Sequence, residues 1–203
     1  MTDTTKMELL APAGDFACLR AALEAGADAV YLGVTSLNAR RRARNFSAVE
    51  LAQACELAHG MGRRVYLTLN IDLAQSELLE AAKVLEIARR CKVDAVLVRD
   101  PALLAFLPLF PELEFHASTQ ACIACSADVE AARELGFRRV VLARELSLPE
   151  NRGSLQARRG DGGLRPGRPV LQRFRPVPSR QLGRGPQREP RPVHQPVPCP
   201  LDG

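Results

Sequence analysis

An α/β fold, an incomplete parallel β/α (TIM-like) barrel of about six βα units followed by a disordered tail, is what the sequence predicts. Three observations carry this: short apolar runs alternate with segments of helical periodicity, three of those runs repeat one pattern, and the composition changes abruptly after Glu150. The repeated pattern is Ala25-Gly-Ala-Asp-Ala-Val-Tyr-Leu-Gly33, Cys91-Lys-Val-Asp-Ala-Val-Leu-Val-Arg99 and Leu135-Gly-Phe-Arg-Arg-Val-Val-Leu-Ala-Arg144. Each is a helix end turning tightly into a near-continuous apolar strand, which implies parallel strands covered on both faces. Six such units favour a β/α barrel, for which eight are needed. The alternative, a doubly wound open sheet, lacks its phosphate loop, since Ala13-Gly14-Asp15 after the first strand is not G-x-G-x-x-G.

The elements follow in order. Met7 to Ala13 is a short apolar strand, and Asp15 is an N-cap for a helix from Phe16 to about Ala25, with Leu19, Ala22 and Leu23 on one face and Gly26 as its stop. Asp28–Gly33 is strand two, followed by a long loop from Val34 to Phe46. Ser47 with Glu50 three residues later is a capping box, and its helix runs to about Met61 before Gly62. Arg64–Asn70 is strand three, and Ser76–Cys91 a helix whose broad apolar face is Leu78, Leu79, Ala82, Val84, Leu85 and Ile87. Asp94–Asp100 is strand four, and Pro101 starts a short helix ending near Pro108. Leu113–Thr119 is strand five, Ala127–Leu135 its helix, Arg139–Arg144 strand six, and Ser147 the cap of a sixth helix.

The charge splits at the same seam. Residues 1–150 hold 17 Lys and Arg against 20 Asp and Glu, whereas residues 151–203 hold 11 against 3, so the basic character belongs to the tail. Ten of the 15 prolines lie in those last 53 residues, a density incompatible with helices or central strands. A segment that buries so little apolar surface cannot offset its ordering entropy. No signal peptide and no window of eighteen apolar residues is visible, so the expectation is a cytoplasmic protein with no membrane span. The six cysteines sit mostly in helical patterns without disulfide-like spacing, which agrees with a reducing compartment.

In a β/α barrel the chemistry sits at the carboxyl ends of the strands. Those ends read Ala13-Gly14-Asp15, Gly33, Asn70-Ile71-Asp72, Arg99-Asp100, His116-Ala117-Ser118-Thr119-Gln120 and Arg144-Glu145. Strand alternation would send His116, Ser118 and Gln120 to one side, where a proton carrier, a hydroxyl and an amide converge on one ligand. A satisfied buried histidine beside a Ser/Thr turn stands as the other reading. Arg144-Glu145 is either a clamp for an anion with a carboxylate beside it or an ion pair. Arg40-Arg41-Arg42-Ala43-Arg44-Asn45-Phe46, in the longest loop, suits phosphate or RNA, against a merely solvated loop. Cys122-x-x-Cys125 is too small a set for a metal site and reads as two buried thiols at a helix start. His59 and Tyr66 show no partner and read as structural.

Five motifs in order resemble a known family. Leu9-Leu10-Ala11-Pro12-Ala13-Gly14-Asp15, Gly26-Ala27-Asp28-Ala29-Val30-Tyr31-Leu32-Gly33 followed by Ala43-Arg44-Asn45-Phe46, Tyr66-Leu67-Thr68-Leu69-Asn70, His116-Ala117-Ser118-Thr119-Gln120 and Leu142-Ala143-Arg144-Glu145-Leu146-Ser147 are similar to the collagenase-like peptidases of unassigned mechanism, peptidase U-32. The resemblance covers about residues 7–150 and implies a bacterial β/α barrel historically called a protease. Better-understood members resemble partners in the hydroxylation of transfer RNA, ribosomal RNA or ubiquinone precursors, and some carry an iron–sulfur cluster. From the strand ends and the long loop, the candidate catalytic set is His116, Ser118, Gln120, Arg144 and Glu145, and the substrate-binding set Asn70, Arg44 and Asn45. RNA or a small anionic metabolite is the implied partner.

The family's later strand, roughly E-x-F-x-x-G-A-L-C with three further cysteines, is missing here, yet its trace is legible one base out of frame. A GTG valine codon followed by C reads as Cys when shifted by one base. Val170, Val177, Val193 and Val197 are followed by Leu171, Pro178, His194 and Pro198, whose codons can begin with C, and their spacing becomes C-x6-C-x15-C-x3-C. Gly162 to Val170 shifts to E-V-F-V-Q-G-A-L-C, and Arg188-Glu189-Pro190-Arg191 to A-N-R-G. The expectation is a truncated family member with a frameshifted tail after Glu150, with no cofactor in this chain, the cluster belonging to full-length relatives, and no catalysis as written. A small α/β RNA-binding module with a basic disordered arm is the alternative, although Phe174 is the sole aromatic after Glu150 available for stacking on bases. A metal-free hydrolase is a third, which no Ser-His-Asp spacing requires.

Overall fold

The computed structural model describes residues 8–35, 37 and 45–147. Within them the elements run β1 (Leu10–Pro12), α1 (Phe16–Glu24), β2 (Ala29–Gly33), α2 (Ala48–Gly60), β3 (Arg64–Leu69), α3 (Leu78–Arg90), β4 (Ala95–Val98), β5 (Glu114–Ala117), α4 (Ser126–Glu134) and β6 (Arg139–Val140). Short 3-10 helices span Gln75–Glu77, Pro101–Leu109 and Thr119–Ala121. The strands pair in parallel in simple chain order, β1-β2-β3-β4-β5-β6, and form a half-barrel with helices on its outer face.

The expected helices form for the reasons legible in their ends. Asp15 caps α1 by accepting from Cys18 N at 2.8 Å. The Ser47–Glu50 capping box of α2 is complete, with Ser47 N donating to Glu50 Oε2 at 2.8 Å and Glu50 N to Ser47 Oγ at 3.2 Å. At their far ends all four helices close alike: Ala27 N donates to Ala22 O, Arg63 N to Ala58 O, Val93 N to Ala88 O and Phe137 N to Ala132 O, at 3.0, 2.9, 2.9 and 3.1 Å. This Schellman closure needs a left-handed residue, which is Gly26 after α1 and Gly136 after α4, whereas Lys92 takes that conformation after α3 at φ 57°. A side chain there costs about 1–2 kcal/mol.

The repeated segments also share a clip. Asp28 Oδ2 accepts from Leu9 N at 3.0 Å and Oδ1 from Arg63 Nη1 at 2.8 Å. Asp94 Oδ2, one unit later, accepts from Val65 N at 2.8 Å and lies 2.9 Å from His59 Nε2. Each aspartate therefore ties its own strand start to the strand before it and fixes the register. His59, expected to lack a partner, has one.

Alternation along the strands divides the buried residues between two faces. Val30, Leu32, Val65, Leu67, Leu69, Val96, Val98, Phe115 and Ala117 face the helices and join Leu19, Leu51, Val84, Leu85 and Leu103 in the main core. Leu10, Ala29, Tyr66, Ala95, Leu97 and Val141 form a smaller cluster on the interior face. The buried stripe of α3 is Ala81, Val84, Leu85 and Ala88. Leu79, expected on the apolar face, is instead 70% exposed, because the helix begins at Leu78 after a 3-10 turn and its inward stripe falls on the residues three, six, seven and ten places beyond Leu78.

All six strands are shorter than expected, β1 and β4 at both ends and β5 and β6 most consequentially at their carboxyl ends. β5 stops at Ala117 and β6 at Val140, although Val141 N still donates to Ala117 O at 2.9 Å and Ala143 N to Ile123 O at 2.8 Å. The helix expected after Ser147, the arginine run from Arg40 to Arg44 and the tail after Glu150 lie outside the described residues. Among the described residues no helix is long and apolar enough to cross a membrane.

Candidate functional site

The interior face carries two sets of polar side chains, one at each end of the strands. At the amino ends, Glu8, two residues ahead of β1, meets Arg139, the first residue of β6: Arg139 Nη1 donates to Glu8 Oε1 at 2.7 Å. The side chains are 7% and 2% exposed, and the pair links the two edge strands of the half-barrel. Tyr66 OH donates to the same Oε1 at 2.7 Å, and the Arg139 guanidinium lies 5.6 Å from the centre of the Tyr66 ring. Arg64 Nη2 sits 2.6 Å from Glu8 Oε2 without the alignment of a hydrogen bond. Burial opposes the charge on Glu8, but the hydrogen bonds from Arg139 and Tyr66, with the nearby Arg139 and Arg64 charges, outweigh it and hold the carboxyl below its usual range. Burial likewise pushes the Tyr66 phenol up, so it stays a donor.

His116 stands beside this clasp. It is 1% exposed, its ring meets Tyr66 edge-on at 5.2 Å between centroids, and its Nε2 lies 3.1 Å from Glu114 Oε2. Burial lowers its pKa, so the ring is neutral near pH 7; the hydrogen bond from His116 in turn lowers the pKa of Glu114. A carboxylate can only accept, so Nε2 carries the proton and Nδ1 presents a lone pair. Among the described residues that Nδ1 has no partner, and neither does the buried Oδ1 of Asn70 at the end of β3.

The sequence-derived residues are only partly brought together. His116 and Ser118 lie on the interior face, both buried. Gln120 does not join them: with β5 ending at Ala117, alternation fails, and Gln120 sits exposed in the 3-10 helix, its N–H donating to Ser118 Oγ at 3.3 Å. Arg144 and Glu145 form an exposed turn beyond β6 and not a strand end. Asn45 is half-buried next to Phe46, which bridges to Val34, and Arg44 lies outside the described residues. Arg99 Nε pairs with Asp72 Oδ1 at 2.7 Å, and Asp100 caps the following 3-10 helix while accepting from Leu73 N at 2.8 Å.

Glu8, Arg64 and Arg139 were not singled out by the motif reading. Their signal is parity: Arg64, Tyr66 and Thr68 alternate on one strand, Glu114, His116 and Ser118 on another, and Arg139 and Val141 on a third. Tyr66, expected to be merely structural, is the centre of the network.

The described cysteines do not fit an iron–sulfur cluster. Cys55 is buried in the core with its thiol pushed up to about 12, chiefly by burial, whereas Cys18, Cys122 and Cys125 are exposed. The last two were expected to be buried; Cys122 instead adopts a left-handed backbone at φ 54° and Cys125 occupies the N-cap of α4. Among the described residues no three His, Cys, Asp or Glu side chains gather as a metal site.

Comparison with known proteins agrees with this fold and these motifs. A 23S rRNA 5-hydroxycytidine C2501 synthase of Escherichia coli is 38% identical over 152 residues, 75% of this chain and 23% of that protein. A tRNA hydroxylation protein P of Haemophilus influenzae is 36% identical over 151 residues, covering 74% and 33%. An uncharacterized protease of Methanocaldococcus jannaschii is 38% identical over 144 residues, covering 70% and 34%. The chain thus spans about a third or less of the length of these relatives. The solved structure of a U32 peptidase superposes with a TM-score of 0.55 at 18% identity, over 70% of this chain and 60% of that one, which supports the fold. The model of peptidase family U32 matches residues 14–153, most of the chain and all of β2 to β6, and the chain belongs to that family.

Proposed function

We propose that this chain is an RNA-facing barrel segment of a nucleic-acid hydroxylation protein, working in the cytoplasm, and that by itself it holds RNA without modifying it. The observation that carries the reading is that the same 150 or so residues are those shared with proteins named for ribosomal and transfer RNA hydroxylation. The geometry favours it over a hydrolase. A serine nucleophile needs a base within hydrogen-bond reach, whereas Ser118 Oγ is engaged by Gln120 N–H and His116 Nδ1 bonds to nothing described. His116, Ser118 and Asn70 are the substrate-facing set inside the half-barrel. Gln120, Arg144, Glu145 and Asn45 belong to its rim, and Arg44, with the rest of the Arg40–Arg44 run outside the described residues, is assigned phosphate contacts.

The lack of turnover follows from the thiols. Beyond Glu150 the chain contains Cys199 alone, so the four cysteines implied as cluster ligands are not encoded in the frame read. A one-base shift after Glu150 restores their spacing, and sequencing the nucleotides around codon 150 tests it: an unbroken frame shared with close homologues would remove the frameshift from the account.

The RNA reading is tested by gel shift with transfer RNA over a salt series. Replacing Arg40, Arg41, Arg42 and Arg44 by Ala should weaken binding and reduce the salt slope by about 3–4 units. If only replacement of the tail arginines weakens it, the second reading, a basic arm holding RNA by charge, takes its place.

A further inference from the structure

We propose that Cys122 and Cys125, in the loop between β5 and α4, are a reversible dithiol–disulfide couple oxidised by a low-molecular-weight disulfide such as oxidised glutathione. Both thiols are free and exposed. They stand in a C-x-x-C spacing inside the β5-α4-β6 unit, with the second cysteine at the helix N-cap. That spacing within a βαβ unit is one that thiol–disulfide exchange uses.

Neither cysteine suits the backbone it occupies. Cys122 holds a left-handed conformation at φ 54° and ψ 35°, which glycine or asparagine adopts at lower cost. Cys125 stands at the N-cap, where Ser, Thr, Asp or Asn normally supplies an oxygen and where sulfur accepts only weakly. Asp128 supplies the oxygen instead, its Oδ2 accepting from Ala124 N at 3.0 Å and from Cys125 N at 3.1 Å. Packing does not hold the two in place either: Ile123 between them is 6% exposed and joins the main core, whereas both cysteines are exposed. Two positions in one loop break local rules with the same residue type and bury nothing in return, which points to the chemistry of the thiols.

The loop can close the bond. Residues 122–125 lie between the 3-10 helix Thr119–Ala121 and α4, outside any helix or strand, so they can tighten to the roughly 4.4–6.8 Å between Cα atoms that a disulfide requires. Cys122 Sγ gives up only a weak bond to Gln120 O at 3.6 Å, and the Cys125 thiol one to Asp128. One thiolate attacks the S–S bond of oxidised glutathione and releases one glutathione; the other attacks the resulting mixed disulfide and releases the second. One S–S bond replaces another, two electrons pass to glutathione, and the two cysteine protons end on the two glutathione thiols. The new bond lies beside the rim of the half-barrel: Cys122 N donates to Thr119 O at 3.1 Å, next to Gln120, and Ile123 O accepts from Ala143 N at 2.8 Å, next to Arg144.

The test equilibrates the full 203-residue chain, with its six cysteines, against graded ratios of oxidised to reduced glutathione in the absence of air. Free thiols are then blocked with iodoacetamide and the peptides mapped by mass spectrometry. Cys18, exposed and with no cysteine at that spacing, is the internal standard. Cys122 and Cys125 should lose their labels together, their peptide lighter by two hydrogens and free of glutathione, at a ratio about ten-fold more reducing than the one that modifies Cys18. On reduction both labels should return. In Cys122→Ser, Cys125 should instead take up glutathione as a mixed disulfide at the Cys18 ratio. Cys122→Asn combined with Cys125→Ser should leave the urea midpoint unchanged or raise it, as expected of thiols that the fold does not need. If glutathione caps the two singly in the unaltered chain, or if both keep their labels once Cys18 has reacted, the inference is overturned. A fall in the urea midpoint of the double variant overturns it too, by making the thiols structural.

Discussion

Replacing Arg139 by Ala should be among the most damaging single changes in this chain. The ion pair with Glu8 is 2.7 Å long and nearly solvent-free, and it joins residues 131 positions apart across the open side of the half-barrel. Two unit charges at that distance attract by about 6 kcal/mol at an effective dielectric constant near 20. Most of that attraction offsets the desolvation of both ions, so the intact pair contributes little net stability. Removing one partner is different, because Glu8 Oε1 would keep only the Tyr66 hydroxyl and the buried carboxylate would face a single cation, the partly exposed Arg64 at 2.6 Å from Oε2. The expected loss is about 3–5 kcal/mol, a large share of the roughly 5–15 kcal/mol typical of a domain. Glu8→Leu combined with Arg139→Met should recover most of it, giving a coupling of about 2–4 kcal/mol in a double-mutant cycle. Urea unfolding followed by circular dichroism measures each term. A loss under about 1 kcal/mol for Arg139→Ala would mean the pair behaves as a surface contact and would refute the clasp.

Other outcomes follow from the same structure. Lys92→Gly should stabilise the fold by about 0.5–1 kcal/mol, since a left-handed residue without a side chain ends α3 at less cost, as a shift in the urea midpoint will show. Burial depresses the His116 pKa, so the unfolded chain binds the proton first: stability should be full above about pH 6.5 and fall as pH drops from there toward the folded-state pKa. His116→Gln should flatten that part of the profile. Glu8, also depressed, adds a second loss on further acidification below its unfolded value of about 4.5. In the native protein iodoacetamide should label Cys18, Cys122 and Cys125, while Cys55, buried with its thiol pushed up to about 12, should label only on unfolding, as peptide mass mapping will show.

Much of the fold was legible because its determinants are local. The Ser47–Glu50 box and the Gly26, Gly62 and Gly136 stops mark helix ends through residues within a few positions of one another, and the repeated aspartate-led strands mark the βα unit. Strand ends were read less well. Whether β5 ends at Thr119 or Ala117 depends on pairing with β6 and on the 3-10 turn that Ser118 caps, neither of which apolarity records. The site was legible at His116 and Ser118 because they terminate an apolar run, and misplaced at Gln120 because alternation was carried past the strand. Glu8 and Arg139 escaped notice for a physical reason: each reads locally as a charge at a strand start, and only the closing of the sheet buries one against the other.

The central claim, that the chain is a U32 barrel segment which holds RNA without modifying it, is tested most directly in a strain lacking its own tRNA hydroxylation protein. The 203-residue chain is expressed there, and hydroxylated nucleosides are measured by mass spectrometry in bulk RNA and in RNA bound to the purified chain. The account expects bound RNA and no restored hydroxylation. Restored hydroxylation, or a chain that retains no RNA at low salt, would contradict it.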